Sequence, residues 1–490
     1  MVAQPDLLSY GTTKALTSAL ASKKTSALEL TDHVIARIEA LDQKVNAVIV
    51  RDFERGRTAA QAADAALARG ERRPLLGLPM VIKESFDVAG LPTTWALPEH
   101  KDFIAQEDAH AVARLRAAGT VILGKTNVPY MLSDWQSYND IFGTTNNPWD
   151  LGRTPGGSSG GSSAALAAGF GPLSFGSDIG GSLRIPAHFC GVYAHKPTLN
   201  LIPPRGHRVP GTVQRIADLS VIGPMARAAA DLELALDVTA GPEEARDGIA
   251  YRLALPAARH TLLTDFRVLV LLDHPLMATG AEVRAALDRL AQNLVKAGAK
   301  VSYTSPLLPD FAQATRLYTR LLTSNFAVRW PQGLYDRVQS EAKKLRADDN
   351  SIDAERLRGA VLDHREWAAA DAARMLLQQQ WAQVFRDWDV VLAPPVPTVA
   401  FPHDHTAPQS ARKIEIDGRL FPYGDLLIWP GVATAPGLPA TTAPLGVSSR
   451  GLPTGVQIIG PYLEDRTPLA FAALIEREFG GFVPPPGYAS

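Results

Sequence analysis

Apolar residues spaced three and four apart give the first readable pattern in this chain. Ser26 and Glu29 stand at the spacing of a capping box, and Leu30, Val34, Ile38 and Leu41 then mark one buried face of a helix. An alanine-rich stretch from Asp52 to Arg69 predicts a second helix, closed by the charged linker Gly70-Glu71-Arg72-Arg73-Pro74. The run from Gly77 to Lys83 is different: short, apolar and strand-like, it finishes on a lysine, an unusual end for a buried strand. Helical and strand-like segments then alternate. Glu107 to Ala118 reads as helix and Thr120 to Leu123 as strand. Phe266 to Leu272 reads as strand, Val283, Leu287, Leu290 and Leu294 mark a helix, and Lys300 to Thr304 is again strand-like. Strand signals return at Val390 to Ala393, Ala440 to Leu445 and Gly455 to Gly460.

This alternation predicts an α/β fold, a mixed, largely parallel central sheet flanked by helices on both faces. Residues 307–387 are helix-rich and carry no strand signal. Because strands occur on both sides of them, they read as a helical insertion in a single domain spanning 1–490, with 1–70 as an N-terminal helical segment. The length of 490 residues suits one large domain or two smaller ones.

Charge and cysteine content narrow the partners. With 49 basic and 50 acidic side chains, the net charge of −1 gives no global attraction to nucleic acid or anionic membrane. A small neutral or mildly polar ligand is the expected partner, and a homodimer is left open. Cys190 is the only cysteine, so no intramolecular disulfide forms. The start, MVAQPDLLSYGTTKAL, lacks the basic and apolar regions of a signal peptide, and no window approaches 18 uninterrupted apolar residues. The expected location is the cytoplasm.

The chemistry concentrates between residues 155 and 198. PGGSSGGSS has a linker's composition, but it runs directly into Ala164-Ala165-Leu166-Ala167-Ala168, a tightly packing helical stretch. A phosphate loop is disfavoured by the missing Lys-Ser/Thr pair. Gly157-Ser158-Ser159-Gly160-Gly161 matches a nucleophile elbow, which would make Ser159 the nucleophile, yet the elbow needs a preceding strand and finds the turn formers Asn146 to Pro155. A second cluster has better context. Leu173 to Gly176 reads as a strand end leading into Ser177-Asp178-Ile179-Gly180-Gly181-Ser182, where backbone N–H groups can converge on a negative oxygen. Taken alone, Ser182 is equally readable as an ordinary helix cap.

Taken together, GLPMVIKESFDVAG, GKTNVP, FGTTNNPWD, the Gly/Ser segment, GLPATTAPLG and GLPTGVQIIGP closely resemble the amidase signature family over nearly the whole chain. The resemblance implies hydrolysis of an amide C–N bond without cofactor or metal. It makes Ser182 the nucleophile, Ser158 the bridging serine and Lys83 the base. It gives Asp178 and Arg184 a bracing role, and puts Met131 and Leu132 beside the acyl-binding cleft. The N–H groups of Ile179, Gly180, Gly181 and Ser182 are the expected oxyanion donors. A lysine base must be neutral, and moving its pKa from ~10.4 to near 7 requires a preference for the free amine of roughly 4 kcal/mol, which burial can supply.

Other candidates are read as structural. Cys190 is a small core residue, His403 and His405 a loop pair without a third metal ligand, and Ser340 with Lys343 a surface S-x-x-K. The acyl group, the glutamine-hydrolysing role known in the family, and cleavage of esters or carbamates stay open. A non-catalytic scaffold on the same fold is the competing class, and the intact Lys83, Ser158 and Ser182 argue against it.

Overall fold

The computed structural model describes residues 6–214 and 217–489. The reading of the extreme N-terminus therefore falls partly outside the described residues. Helix Ala27–Val45 begins as expected, with the Ser26 hydroxyl accepting from the Glu29 N–H and the Glu29 carboxylate from the Ser26 N–H. Leu30, Val34 and Ile38 are fully buried on its inner face. The alanine-rich segment forms helix Phe53–Ala68, which turns Gly56, Ala60, Ala63 and Ala66 inward; such small residues let it lie close against the sheet.

Among the described residues, eleven strands form one sheet. In chain order they are β1 (Val48–Arg51), β2 (Pro79–Lys83), β3 (Val121–Thr126), β4 (Leu173–Asp178), β5 (Tyr193–Lys196) and β6 (Val221–Ala226). The second half adds β7 (Arg267–Val270), β8 (Lys300–Ser302), β9 (Val390–Ala393), β10 (Ala440–Val447) and β11 (Pro453–Ile459). Their order across the sheet is β1-β3-β2-β4-β6-β5-β10-β11-β9-β7-β8. The mixed α/β sheet matches the expectation, with its parallel pairs in two blocks. One is β3-β2-β4 and the other β9-β7-β8, while the strands between them pair antiparallel. Every residue of β2, β3, β4, β5, β6, β9 and β11 is buried, which requires cover on both faces.

Among the described residues, three strands of this sheet went unseen in the sequence, as did several helices. β1 interrupts the supposedly helical first seventy residues and pairs antiparallel with β3 at the sheet edge. β1 and β5 are four residues long, and Pro224 interrupts the apolar run of β6, so none shows a clear period. Helices Leu7–Tyr10 and Thr13–Ala21, capped by Asp6 and Thr12, precede the one expected to be first. The helix expected from Glu107 starts at His110, because Asp108 is used in the preceding loop, accepting from the Ala89 N–H and pairing with Arg116. Between β8 and β9 come helices Phe311–Ala327, Gln332–Ala342, Ile352–Ala360 and His364–Asp387, within the stretch read as helix-rich.

The join between β5 and the C-terminal helix Arg466–Phe479 rests on one buried carboxylate. Asp465 accepts from the Thr198 N–H at 2.8 Å and the Thr198 hydroxyl at 2.7 Å, and lies 3.1 Å from His195 Nε2. Asp465→Ala strands these groups without water, so a loss of about 3 kcal/mol is expected, read as a lower denaturation midpoint at unchanged denaturant slope.

Candidate active site

The site lies at the carboxyl ends of β2 and β4. These strands run side by side and parallel, with Met80 opposite Leu173, so their last residues emerge together. Lys83 ends β2 and is fully buried. Its Nζ hydrogen-bonds Ser158 Oγ at 2.7 Å and Ser177 Oγ at 2.9 Å. Burial pushes the lysine down to about 7, against the opposing pull of the Asp178 charge.

Ser158 is held by a backbone seam rather than a flexible linker. A Cβ on Gly157 would lie 2.4 Å from the Asp134 carbonyl oxygen, so only glycine lets the two segments touch. The Gly157–Ser158 peptide is cis. The neighbouring Ser159 donates its N–H to the Ser182 carbonyl at 3.2 Å, and its side chain faces Ser177 inside the protein. Ser159 is fully buried and does not line the cavity described below, which weighs against the elbow reading.

The turn carrying Ser182 is braced from inside. Asp178 accepts from the N–H groups of Gly181 and Leu183 at 2.9 and 3.0 Å, and pairs with Arg184 at 2.9 Å, both side chains fully buried. Burial alone would raise the Asp178 carboxyl, but the Arg184 charge and these hydrogen bonds hold it at about 2. Arg184 also donates to the Pro430 carbonyl, Gln457 Oε1 and the Thr434 hydroxyl. The Ile179 carbonyl accepts from the Tyr318 hydroxyl at 2.7 Å, and the Gly180 carbonyl from Trp135 Nε1 at 2.9 Å. Each of these carbonyls is thereby held in place by a buried side chain, and the N–H of the following residue points the opposite way across a trans peptide. Gly181 takes φ +96°, and a Cβ there would lie 2.8 Å from both Ile185 and Pro430. Because its N–H is already bound to Asp178, Gly181 drops out of the expected oxyanion donors, leaving Ile179, Gly180 and Ser182.

A cavity of about 420 Å³ opens over this turn, lined by Ser158, Ser177, Asp178, Ile179 and Ser182. Ser182 is 7% exposed, against 4% for Ser177, 1% for Ser158 and 0% for Lys83, so Ser182 is the most accessible of these residues. Met131 and Leu132 line the same cavity, both at positive φ and packed against the cluster of Trp95, Leu97 and Val209. Phe326, Trp330 and Leu334 add apolar surface. A larger surface groove of about 790 Å³ near Leu199 and Tyr251 holds none of the three serines and neither Asp178 nor Lys83.

Sequence reasoning missed several wall residues. Ser177 was legible as a third hydroxyl, just before Asp178 at the end of β4, whereas Trp95, His207, Arg208, Arg329 and Trp330 come from distant loops with no local signature. His207 hydrogen-bonds Ser85 Oγ at 3.0 Å, and burial, with the Lys83 and Arg329 charges, pushes its imidazole well below the usual range. His188 and His195 are buried among backbone and side-chain partners away from the cavity. Cys190 is fully buried, Ser340 and Lys343 are exposed, and His405 stacks on Tyr138 at 3.6 Å. Among the described residues, no three His, Cys, Asp or Glu side chains cluster to hold a metal, and no helix is long and apolar enough to cross a membrane.

Comparison with known proteins gives this geometry its context. Residues 29–469 match the Amidase family. The chain is 35% identical to AmiB2 of Mycobacterium tuberculosis, covering 96% of this chain and 97% of that one. It is 34% identical to a glutamyl-tRNA(Gln) amidotransferase subunit from Roseiflexus castenholzii, with 94% of each covered. The solved structure of 6-aminohexanoate cyclic dimer hydrolase with its substrate superposes with a TM-score of 0.77, at 27% identity, over 99% of this chain and all of that one. The chain belongs to the amidase family and is an amidohydrolase of carboxylic C–N bonds.

Proposed function

We propose that amide hydrolysis runs through a Ser182 acyl-enzyme, with Ser158 as proton bridge and Lys83 as base. The carrying observation is the 2.7 Å contact between a lysine held at about 7 and Ser158. A neutral amine has two N–H groups and one lone pair. Donation to Ser177 leaves the lone pair for the Ser158 hydroxyl, which in turn accepts the Ser182 proton as Ser182 Oγ attacks the carbonyl carbon. The N–H groups of Ile179, Gly180 and Ser182 receive the oxyanion. On collapse the C–N bond breaks, the proton returns through Ser158 to the leaving nitrogen, and water hydrolyses the ester to free Ser182. No hydrogen bond joins Ser182 to Ser158 among the described residues, in keeping with contacts that close only when substrate is bound.

The same reading takes a small-molecule amide as substrate and residues 307–387 as an insertion in one domain, lending Tyr318, Trp330 and Leu334 to the site. The buried lone Cys190 fits a reducing cytoplasm. A homodimer is the assembly to test by light scattering.

Ser182→Ala should abolish turnover with the fold unchanged, and a fluorophosphonate should label Ser182 in the unaltered protein, as read by peptide mass spectrometry. Labelling at Ser159 would overturn the assignment.

The active lysine is the neutral one. Below about 7, kcat/KM should therefore fall close to tenfold per pH unit, and above it should level off. Lys83→Ala should remove most amide hydrolysis and spare esters more, whose alkoxide leaves with less need of a proton. Lys83→Arg should not restore it, since guanidinium stays protonated. A His188 or His195 replacement as damaging as Lys83→Ala, in folded protein, would sink the relay.

Tyr318→Phe removes the donor that fixes the Ile179 carbonyl. We expect kcat to fall by about 10- to 100-fold with KM little changed, as for a misaligned reacting group.

A further inference from the structure

Phe326, Trp330 and Leu334 line the cavity over Ser182 from the helical insertion. They stand four residues apart, as on one face of a helix, and reach the cavity across the turn between helices Phe311–Ala327 and Gln332–Ala342. Local backbone bonds set that turn: the Trp330 N–H donates to the Ala327 carbonyl at 3.1 Å, and the Leu334 N–H to the Pro331 carbonyl at 2.9 Å. This face does nothing for the core. Helix Phe311–Ala327 turns Tyr318, Leu321 and Leu322 to the interior, all buried, whereas Phe326 is 40% exposed. Helix Gln332–Ala342 buries none of its residues. Trp330 and Leu334 are half-buried, and none of the three belongs to a buried cluster. Large apolar side chains left partly in water beside a nucleophile are surface for a ligand to cover.

The remaining apolar lining is anchored. Trp95 donates its Nε1 proton to the Ser85 carbonyl and its N–H to the Glu84 carboxylate, both at 3.0 Å, and Met131 and Leu132 pack against its cluster with Leu97 and Val209. The charged groups of the lining are engaged within the protein. Asp178 pairs with Arg184, and Arg208 donates to the Thr212 carbonyl. Arg329 is exposed, with its guanidinium over the Trp95 ring at 5.7 Å, a placement that keeps the charge near water while the stem covers apolar surface.

Resting on the Ser182 reading above, we infer that the substrate is a neutral amide with a bulky apolar group, alkyl or aryl, clamped between the anchored Trp95, Met131 and Leu132 and the insertion's Phe326, Trp330 and Leu334. The cavity of about 420 Å³ is of the size that small-molecule sites of this kind have. Binding takes the exposed parts of Phe326, Trp330 and Leu334 out of water, so selection is by apolar contact. Trp330 and Leu334 are then specificity-determining residues, carried by a segment that can vary without disturbing the core.

Two series of neutral amides test this on the intact protein. One lengthens the acyl side, as the 4-nitroanilides of acetic, butyric, hexanoic and octanoic acids. The other lengthens the amine side, as acetanilides bearing a 4-methyl, 4-butyl or 4-hexyl group. In at least one series kcat/KM should rise by about fourfold for each methylene that is buried. Trp330→Ala and Leu334→Ala should each lower the ratio of longest to shortest member by about tenfold, while Trp330→Phe keeps most of it. The ratio is taken within one protein sample, so partial misfolding does not alter it. A flat or falling kcat/KM along both series, or a ratio that neither alanine variant lowers, overturns the apolar clamp and leaves the Ser182 reading standing. Failure to cleave any member while Ser182 still takes the fluorophosphonate label overturns the clamp alone. Failure to cleave any member with no label on Ser182 overturns the Ser182 reading and this inference with it.

Discussion

The ion pair between Asp178 and Arg184 is the constraint from which the rest of the site follows. Both side chains are wholly out of water, where an unpaired charge would cost several kcal/mol. Each therefore has to satisfy all its hydrogen-bonding capacity locally. Asp178 does so with the N–H groups of its own turn, which fixes the path of residues 179–183. Arg184 does so with Pro430, Thr434 and Gln457, which ties the turn to β11 and to helix Ile428–Thr434. A turn rich in glycine would otherwise sample many shapes. Here its shape is set by charge that has nowhere else to go.

Lowered basicity alone does not single out Lys83 as the proposed base. Lys125 and Lys196 are also fully buried and pushed down by burial, to about 8 and about 7. Lys196 donates to the carbonyls of Pro197 and Leu438, which accept hydrogen bonds but have no proton to give. Lys125 donates to the Pro92 carbonyl and the Thr93 hydroxyl, beside the Glu84 carboxylate that receives the Thr94 and Trp95 N–H groups. It thus helps to hold the loop that presents Trp95. Only Lys83 combines a weakened ammonium with serine hydroxyls that border the cavity. The chemistry of the partner, as much as the burial, separates a base from a brace.

Much of this was legible in the sequence where the signal was local or long. The capping box at Ser26, the lysine closing β2 and the Gly/Ser segments each declare themselves within a few residues. The resemblance added roles for Lys83, Ser158 and Ser182 that spacing alone left undecided between nucleophile and cap. What stayed hidden depends on distance along the chain. Tyr318 lies 139 residues from the carbonyl it holds, and nothing in its helix marks it as different from other aromatic residues on an inner face. The loss of Gly181 as an oxyanion donor was equally invisible, since it turns on which way one peptide plane faces. Strand β6 escaped because pairing with β4 and β5, not its own interrupted pattern, makes it a strand.

Gln457 receives Arg184 from 273 residues further along the chain, near the end of the last strand. During synthesis, residues up to Ser182 leave the ribosome long before Thr434 and Gln457 exist. Until they emerge, Arg184 lacks these partners, as it first lacks the Pro430 carbonyl too, and the Asp178 turn has no firm anchor. The growing polypeptide is thus expected to stay inert as a hydrolase until its final strand has been made.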